Sequence, residues 1–352
     1  MELSIAAKTD LRSMNLPQLE DWIVSIGEPK YRAKQVFQWL WKKNVTDISQ
    51  MSDLSKGLRE KLLNLSETKP LILDKSQKSA DGTIKSRFAL YDGHKIESVL
   101  IPVDREKRYT VCVSTQVGCS LTCSFCATGK MKRIRNLDAA EIVDQYFKVN
   151  DQCLEYFNNP LSNIVYMGMG EPLLNYREVM RSIHLLTHES AIGMSPRRIT
   201  VSTAGIAKMI RQLGDDQVRF NLALSLHAAD DKKRNEIMPI NEQNNLEILM
   251  ESLEYFYHKT QNEITYEYIA FNQFNDSIAD AQHLTALCKR NFPVKVNIIE
   301  YNPIAGVEMI KSGIDRLEPF TKYLYNHGVQ VTVRRSRGKD IDAACGQLAN
   351  KD

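Results

Sequence analysis

The stretch YTVCVSTQVGCSLTCSFCATG, residues 109–129, carries the strongest structural signals in the sequence. It opens with an aromatic and β-branched run that is typical of a buried strand. The strand leads into a loop that holds Cys119, Cys123 and Cys126. The segment LDAAEIVDQYFKV that follows has the spacing of an amphipathic helix, and Asp138 with Glu141 three residues later predicts its capped start. The order of strand, loop and helix indicates a βα unit.

The same alternation of strands and helices continues to the end of the chain. Six further strand-like runs are separated by helical stretches: NIVYM (163–167), RITVS (198–202), FNLALSL (220–226), ITYEYIAF (264–271), VKVNIIE (294–300) and VQVTV (329–333). Strands that alternate with helices at such spacing form parallel sheets. We therefore predict an α/β fold with a full or partial barrel, whose chemistry lies at the carboxyl ends of the strands.

The residues before this barrel have a different pattern. Three amphipathic runs predict helices: LEDWIVSIG (19–27), RAKQVFQWLWKK (32–43) and LSKGLREKLLNL (54–65). The run IKSRFALYDGHKIESVLIP (84–102) alternates apolar and polar residues around Asp92-Gly93, as a β-hairpin does. We expect three parts: a helical accessory module over residues 1–75, a hairpin connector over 76–107, and the barrel with a C-terminal segment over 108–352.

Composition excludes several classes of protein. The chain has 352 residues, 43% of them hydrophobic and 25% charged, which excludes disordered and collagen-like proteins. No apolar run approaches the roughly 20 residues of a membrane span, and the N-terminus lacks a secretory signal, so we expect a cytoplasmic protein. The net charge of +3 argues little, but basic runs at 29–61, 130–135 and 334–339 indicate a polyanionic partner.

The cysteines point to a metal cofactor. Seven cysteines in a chain without a secretory signal do not resemble a disulfide framework. Three of them have the spacing C-x3-C-x2-C, and no histidine follows until His184. A zinc site needs a fourth ligand and usually C-x2-C pairs. Three thiolates suit a four-iron cluster with one iron left open for another ligand.

Together, these motifs identify a family. The chain resembles the radical S-adenosylmethionine (SAM) enzymes, and within them the dual-specificity RNA adenine methyltransferases. The resemblance covers nearly the whole chain and rests on these stretches: QVGCSLTCSFCATG (116–129), MGMGEPLLNY (167–176), RRITVSTAG (197–205), LALSLHA (222–228), MPIN (238–241), YNP (301–303) and DIDAACGQL (340–348).

The resemblance implies a function and its partners. It implies a partial (β/α)6-type barrel with a [4Fe-4S] cluster and two SAM molecules per turnover. The substrates are 23S rRNA, at its peptidyl transferase centre, and tRNA, at the adenosine 3′ of the anticodon. The product is 2-methyladenosine. The helical module is expected to bind RNA, an electron donor such as flavodoxin or ferredoxin is implied, and we expect a monomer.

The resemblance also assigns residues. The cluster ligands are Cys119, Cys123 and Cys126, and the SAM-binding positions are Gly170, Glu171, Ser202, Ser225, Leu226, His227 and Asn302. Cys345 is implied to carry a methyl group that becomes part of a transient protein–RNA crosslink, and Cys112 to release the product by forming a transient disulfide. Glu97 is implied to be the proton acceptor, although by itself it reads as an ordinary strand carboxylate. Cys153 and Cys288 read as buried helix residues.

Two alternatives remain open from the sequence. A related group methylates carbon 8 of the same ribosomal adenosine and confers antibiotic resistance. Pro172 in GEPLLN favours the carbon-2 group. A non-catalytic iron–sulfur protein that binds RNA, such as an assembly factor, needs the cluster but not Cys345.

Overall fold

The N-terminal part of the chain is helical. The computed structural model describes residues 8–351; residues 1–7 and 352, which belong to the first and third predicted parts, lie outside the described residues. Helices α1 (Leu16–Ser25), α2 (Tyr31–Trp41) and α3 (Lys56–Leu65) form this part. Asn15 caps α1 by accepting from the Gln18 amide. The buried faces of these helices join the same hydrophobic core as the rest of the fold.

A single ten-stranded sheet forms the body of the protein. Its strands are β1 (Ile72–Lys78), β2 (Ile84–Ala89), β3 (Lys95–Val103), β4 (Arg108–Cys112), β5 (Asn163–Tyr166), β6 (Ile199–Thr203), β7 (Asn221–Ser225), β8 (Ile264–Ala270), β9 (Val294–Glu300) and β10 (Gln330–Arg334). Each strand lies beside its neighbours in sequence. Strands β1 to β4 pair antiparallel, and β4 to β10 pair parallel. The predicted α/β class is confirmed, and the hairpin extends the barrel sheet.

Helices connect the parallel strands. They are α4 (Ala139–Phe157), α5 (Tyr176–Thr187), α6 (Ala207–Asp215), α7 (Asp231–Ile237), α8 (Leu246–Thr260), α9 (Ile278–Cys288) and α10 (Ile314–Asn326). The predicted start of α4 is confirmed, because Asp138 and Glu141 form a reciprocal capping box there. In the described part of the chain, no helix is both long enough and apolar enough to cross a bilayer.

A buried ion pair fastens the helical part to the barrel. Arg12 is fully buried, and its Nη1 donates to Oδ2 of Asp144 on α4 at 2.7 Å. The same carboxylate accepts from the Leu71 amide at 2.9 Å. The Arg12 guanidinium also lies over the Trp41 ring. Because both charges are buried, either partner left alone would be costly.

The C-terminal residues 335–351 return from β10 towards the antiparallel strands. Asp340 accepts from the Ser79 hydroxyl at 2.5 Å, and the Gly338 amide donates to Asp81 at 2.9 Å. Gly338 lies in the left-handed region with φ +65°, and a Cβ there would come within 2.7 Å of the Ala343 Cβ. These contacts bring the segment that contains Cys345 over the open side of the barrel.

Candidate active site

A large cavity lies inside the barrel. Its volume is about 990 Å³, and most of the residues singled out from the sequence line it: Cys112, Cys119, Cys123, Cys126, Gly170, Glu171, Ser202, Ser225, His227 and Cys345. Leu226, Asn302 and Glu97 do not line it. The structure therefore gathers residues from four strand ends, the cysteine loop and the C-terminal segment around one space, as expected for a barrel site.

The cysteine loop is held by backbone contacts that require glycine. Gly118 has φ +75°, and a Cβ there would lie 2.3 Å from the Lys132 carbonyl oxygen. A Cβ on Gly129 would lie 2.9 Å from the Cys123 carbonyl oxygen. Phe125 packs edge-on against His227, with ring centroids 4.8 Å apart. These close approaches fix the loop that carries the three thiols.

The donor set of this loop fits an iron–sulfur cluster. Burial raises the pKa of Cys119 to about 11 and raises the pKa of Cys123 and Cys126. Enclosed thiols of this kind become good ligands when iron replaces their protons. In residues 8–351, no three His, Cys, Asp or Glu side chains are arranged to hold a single metal ion. The ligands of an iron–sulfur cluster need not point at a single atom, because each thiolate binds a different iron.

A second wall of the cavity is built from turns after β5 and β6. Gly170 has φ +96°, and a Cβ there would lie 2.5 Å from Gln116. The next residue, Glu171, accepts from the amides of Leu173 at 3.0 Å and Ala204 at 2.8 Å. Burial raises the pKa of Glu171, and these bonds oppose that rise. Glu171 thus ties two strand ends together beside the cysteine loop.

Polar groups from β6, β7 and the turn after β7 face the same space. The hydroxyls of Ser202 and Ser225 lie 3.3 Å apart. His227 adopts φ +55°, and its Nδ1 accepts from the Ile269 amide at 3.1 Å. Burial lowers the pKa of His227 to about 3, so the ring is neutral. Leu226 is fully buried, and its amide donates to the backbone carbonyl of Glu267.

The C-terminal segment presents Cys345 to the cavity. Its thiol is accessible through the cavity, yet desolvation by the surrounding walls raises its pKa. The Asn302 amide group donates to the Cys345 carbonyl at 3.4 Å. Asn302 therefore contacts the backbone of Cys345 without lining the cavity.

Cys112 lies on β4 across from this segment and is buried. Desolvation first, and then the nearby Cys345, raise the pKa of its thiol. All seven cysteines are free thiols. The disulfide expected between Cys112 and Cys345 is thus not formed in this structure, whereas the two thiols do share the cavity.

Glu97 lies in a buried position and does not line the cavity. It is 1% exposed, and its Oε2 accepts from the amides of Ala349 at 2.9 Å and Asn350 at 3.2 Å. Its Oε1 lies 3.6 Å from the Lys85 ammonium. In this arrangement the carboxylate anchors the C-terminal segment, outside the cavity lining.

Two residues at the site, Arg234 and Glu267, were not predicted from the sequence. Arg234 is fully buried, and its guanidinium donates to the carbonyls of Ala204, Ser225 and Leu226. Glu267 lines the cavity at the centre of β8. Its sequence signal was available, because it is the one charge within the apolar run ITYEYIAF.

The basic runs are only partly free to bind a polyanion. Arg135 pairs with Asp92 at 2.5 Å and with Glu141 at 2.8 Å, and Lys339 pairs with Glu300. Arg334 and Arg335 differ, because they are exposed and line the cavity, and their side chains have no hydrogen bond or ion pair within residues 8–351.

Comparison with known proteins agrees with this architecture. Residues 9–68 match the family described as Ribosomal RNA large subunit methyltransferase N-terminal domain. Residues 113–284 match the Radical SAM superfamily. The chain is 52% identical to a probable dual-specificity RNA methyltransferase RlmN of Cytophaga hutchinsonii, over 98% of this chain and 94% of the relative.

Two further relatives extend the comparison. A protein of the same description from Bacillus thuringiensis subsp. konkukian is 41% identical over 98% of this chain and 94% of its own length. A crystal structure of a radical SAM methyltransferase from Sphaerobacter thermophilus is 38% identical, with a TM-score of 0.91. It covers 97% of this chain and 100% of that one.

Proposed function

We propose that this chain, which belongs to the RlmN family of radical SAM methyltransferases, methylates RNA at carbon 2 of adenosine through a methylated cysteine. The observation that carries the proposal is the position of two thiols. Cys345 and Cys112 come from opposite ends of the barrel sequence, and both line the cavity that the three-cysteine loop also lines. We further propose 23S rRNA and tRNA as the substrates.

The cofactors of the family fit the residues present. Cys119, Cys123 and Cys126 would hold the [4Fe-4S] cluster, and the turn at Gly170 with Ser202 would lie against SAM. When bound, these groups supply the abstraction of hydrogen from an unreactive carbon. Carbon 2 of adenine needs such chemistry, because it is electron-poor and does not attack a methyl group as a nitrogen would.

The chain itself supplies a nucleophile and a means of release. In this proposal Cys345 accepts a methyl group as a thiolate and then presents that group to the adenine. Cys112, which lines the same cavity, attacks the Cys345 sulfur as a thiolate. A disulfide forms, the bond between that sulfur and the methylene carbon breaks with its electron pair on carbon, and the carbon takes up a proton, which frees the methylated RNA. For Glu97, the family role is acceptance of the carbon-2 proton, and its contacts add an anchoring role.

The substrate must reach the cavity as a single nucleotide. A base within a duplex is inaccessible to a barrel interior, so a loop or an extruded nucleotide is required. The side chains of Arg334 and Arg335 have no ion-pair partner in the described part of the chain, so contacts between them and RNA phosphates would favour binding. RNA affinity is therefore expected to fall as the salt concentration rises.

The test is the nucleoside formed by anaerobically reconstituted protein on a 23S rRNA fragment and on tRNA. Mass spectrometry after chromatography is expected to find 2-methyladenosine with wild type and with Cys288→Ala. Cys345→Ala is expected to form none, and Cys112→Ala is expected to accumulate a nuclease-sensitive protein–RNA adduct. A product that is only 8-methyladenosine, or continued methylation by Cys345→Ala, would refute the proposal.

A further inference from the structure

A carboxylate of unassigned role lies in the wall of the cavity. Glu267 is the central residue of β8, where it pairs with Ser225 on one side and Asn297 on the other. Side chains alternate along a strand, so Tyr266 and Tyr268 face away from the cavity and are fully buried. Glu267 itself faces inward and is 5% exposed. A carboxylate at such a place is costly unless it has a function or a partner.

One oxygen of Glu267 is held and the other is free. Its Oε1 accepts from the Asn297 side-chain amide at 2.8 Å. Within residues 8–351, no hydrogen bond or ion pair reaches Oε2. The other glutamates of the lining are engaged differently: Glu106 pairs with an arginine, Glu263 with a lysine, and Glu171 accepts from backbone amides. Glu267 is thus an oriented carboxylate with an available oxygen.

Cys345 and Glu267 line the same cavity, and the charge of Glu267 affects the pKa of the Cys345 thiol. Burial, followed by the negative charge of Glu267, raises the pKa of Cys345, and the positive charge of Arg334 opposes that rise. The other titratable groups that act on it are the thiols of Cys126 and Cys112. The resting side chain is therefore a thiol, and it must lose its proton before it can attack a methyl group.

We propose that Glu267 takes the proton of the Cys345 thiol when Cys345 is methylated, and that Asn297 orients the carboxylate for this step. The proposal rests on the proposed function and deepens its first half. The proton passes from Sγ of Cys345 to Oε2 of Glu267. Sγ forms a bond to the methyl carbon of SAM, whose bond to the sulfonium sulfur breaks with its electron pair remaining on that sulfur. S-adenosylhomocysteine leaves, and no oxidant or reductant is consumed.

Methylation of Cys345 without RNA tests this directly. Trypsin releases residues 340–351, a peptide whose only cysteine is Cys345, and its mass reports the added methyl group. Glu267→Gln keeps the shape of the side chain and its bond to Asn297 but removes the base. We expect it to slow methylation of the peptide by about 100-fold, the usual effect of losing a general base. Glu251→Gln, at an exposed position of α8 outside the cavity lining, is the matched control and is expected to keep the wild-type rate.

A second measurement needs neither SAM nor turnover. Iodoacetamide alkylates Cys345, and the same peptide reports the rate at one near-neutral pH. Loss of the negative charge lowers the thiol pKa, so Glu267→Gln is expected not to slow alkylation, for which the buffer takes the proton. If Glu267 accepts the proton during methylation, Glu267→Gln slows methylation although alkylation is not slowed; if Glu267 only repels the thiolate, Glu267→Gln slows neither reaction. Slower rates of both reactions would indicate that the substitution displaces the thiol.

The two experiments test the role of Glu267 as a base separately from the proposed function of the protein. Slower methylation without slower alkylation in Glu267→Gln, with Glu251→Gln unchanged and both variants melting like wild type, supports the proposal. Equal or faster methylation in Glu267→Gln, or slowing of both reactions, overturns it and leaves the proposed function intact. Failure of the wild type itself to acquire a methyl group on Cys345 refutes the proposed function and this proposal together.

Discussion

Replacement of Glu97 by alanine is expected to release the C-terminal segment from the barrel. The carboxylate accepts from two backbone amides, those of Ala349 and Asn350. Its removal leaves both donors without their partner and leaves the buried Lys85 ammonium without its nearest counter-charge. Cys345 lies four residues before Ala349 in the same C-terminal segment. The position of Cys345 therefore depends on the hydrogen bonds that Glu97 accepts.

The magnitude follows from the two hydrogen bonds. A hydrogen bond to a charged group contributes about 1.5–3 kcal/mol. We take the lower value for each bond, because water can replace part of the lost interaction. The free energy of local opening of the C-terminal segment is then expected to fall by about 3 kcal/mol. Since each 1.4 kcal/mol is about a tenfold change in an equilibrium constant, exchange of these two amides is expected to accelerate by roughly 100-fold.

Amide hydrogen exchange followed by mass spectrometry measures this directly. Peptides that cover residues 340–351 are compared with peptides from the core strands of the barrel, which report global opening. Glu155→Ala, at an exposed position of α4, serves as the control for loss of a glutamate. Glu97→Gln is expected to fall between wild type and Glu97→Ala, because its amide oxygen still accepts but carries no charge.

Equal exchange of residues 340–351 in Glu97→Ala and wild type would refute the anchoring role of Glu97. Exchange that rises equally throughout the barrel would also refute it, since that would indicate global destabilisation. A normal exchange rate combined with lost RNA methylation would leave Glu97 as a proton acceptor without an anchoring role.

Three further predictions concern other parts of the fold. Gly118→Ala is expected to lose bound iron, because its Cβ would lie 2.3 Å from a backbone oxygen. Gly27→Ala, which has a similar positive φ but open space around it, is expected to keep bound iron. Iron and sulfide assays after reconstitution measure the difference. Asp144→Ala leaves Arg12 buried without its partner, and we expect denaturant unfolding to show a loss of about 3–5 kcal/mol. His227 has a pKa lowered to about 3 in the folded state, so the unfolded chain binds a proton that the folded chain does not, and stability falls as pH drops from the ordinary histidine range towards that value; His227→Gln is expected to weaken this acid dependence in thermal melts.

The sequence predicted those features whose signal is local. The capping residues of α4, the alternation of strands and helices, and the spacing of Cys119, Cys123 and Cys126 each depend on neighbours within a few residues. Such patterns fix the fold class and the position of the cysteine loop. The structure adds the order of the ten strands, which places every strand beside its neighbour in sequence.

Other features depend on partners that are distant in sequence. Glu97 reads as an exposed strand residue, since nothing near it in the sequence indicates that Ala349 and Asn350 will lie over its carboxylate. Arg234 belongs to a charged helical run, and its burial appears only when the ends of β6 and β7 meet it. Basic runs have the same limitation: Arg135 is neutralised by Asp92, which comes from the preceding hairpin.

The cysteine loop and the C-terminal segment that contains Cys345 are joined by hydrogen bonds. The amide of Ala127, which follows Cys126, donates to the carbonyl of Gly346, which follows Cys345, at 2.7 Å. The Thr128 hydroxyl donates to the Leu348 carbonyl at 2.6 Å. Because these hydrogen bonds are short, the cysteine loop and the C-terminal segment are expected to move together. Iron binding by the loop and presentation of the Cys345 thiol are therefore coupled, and a substitution that loosens either segment is expected to impair both.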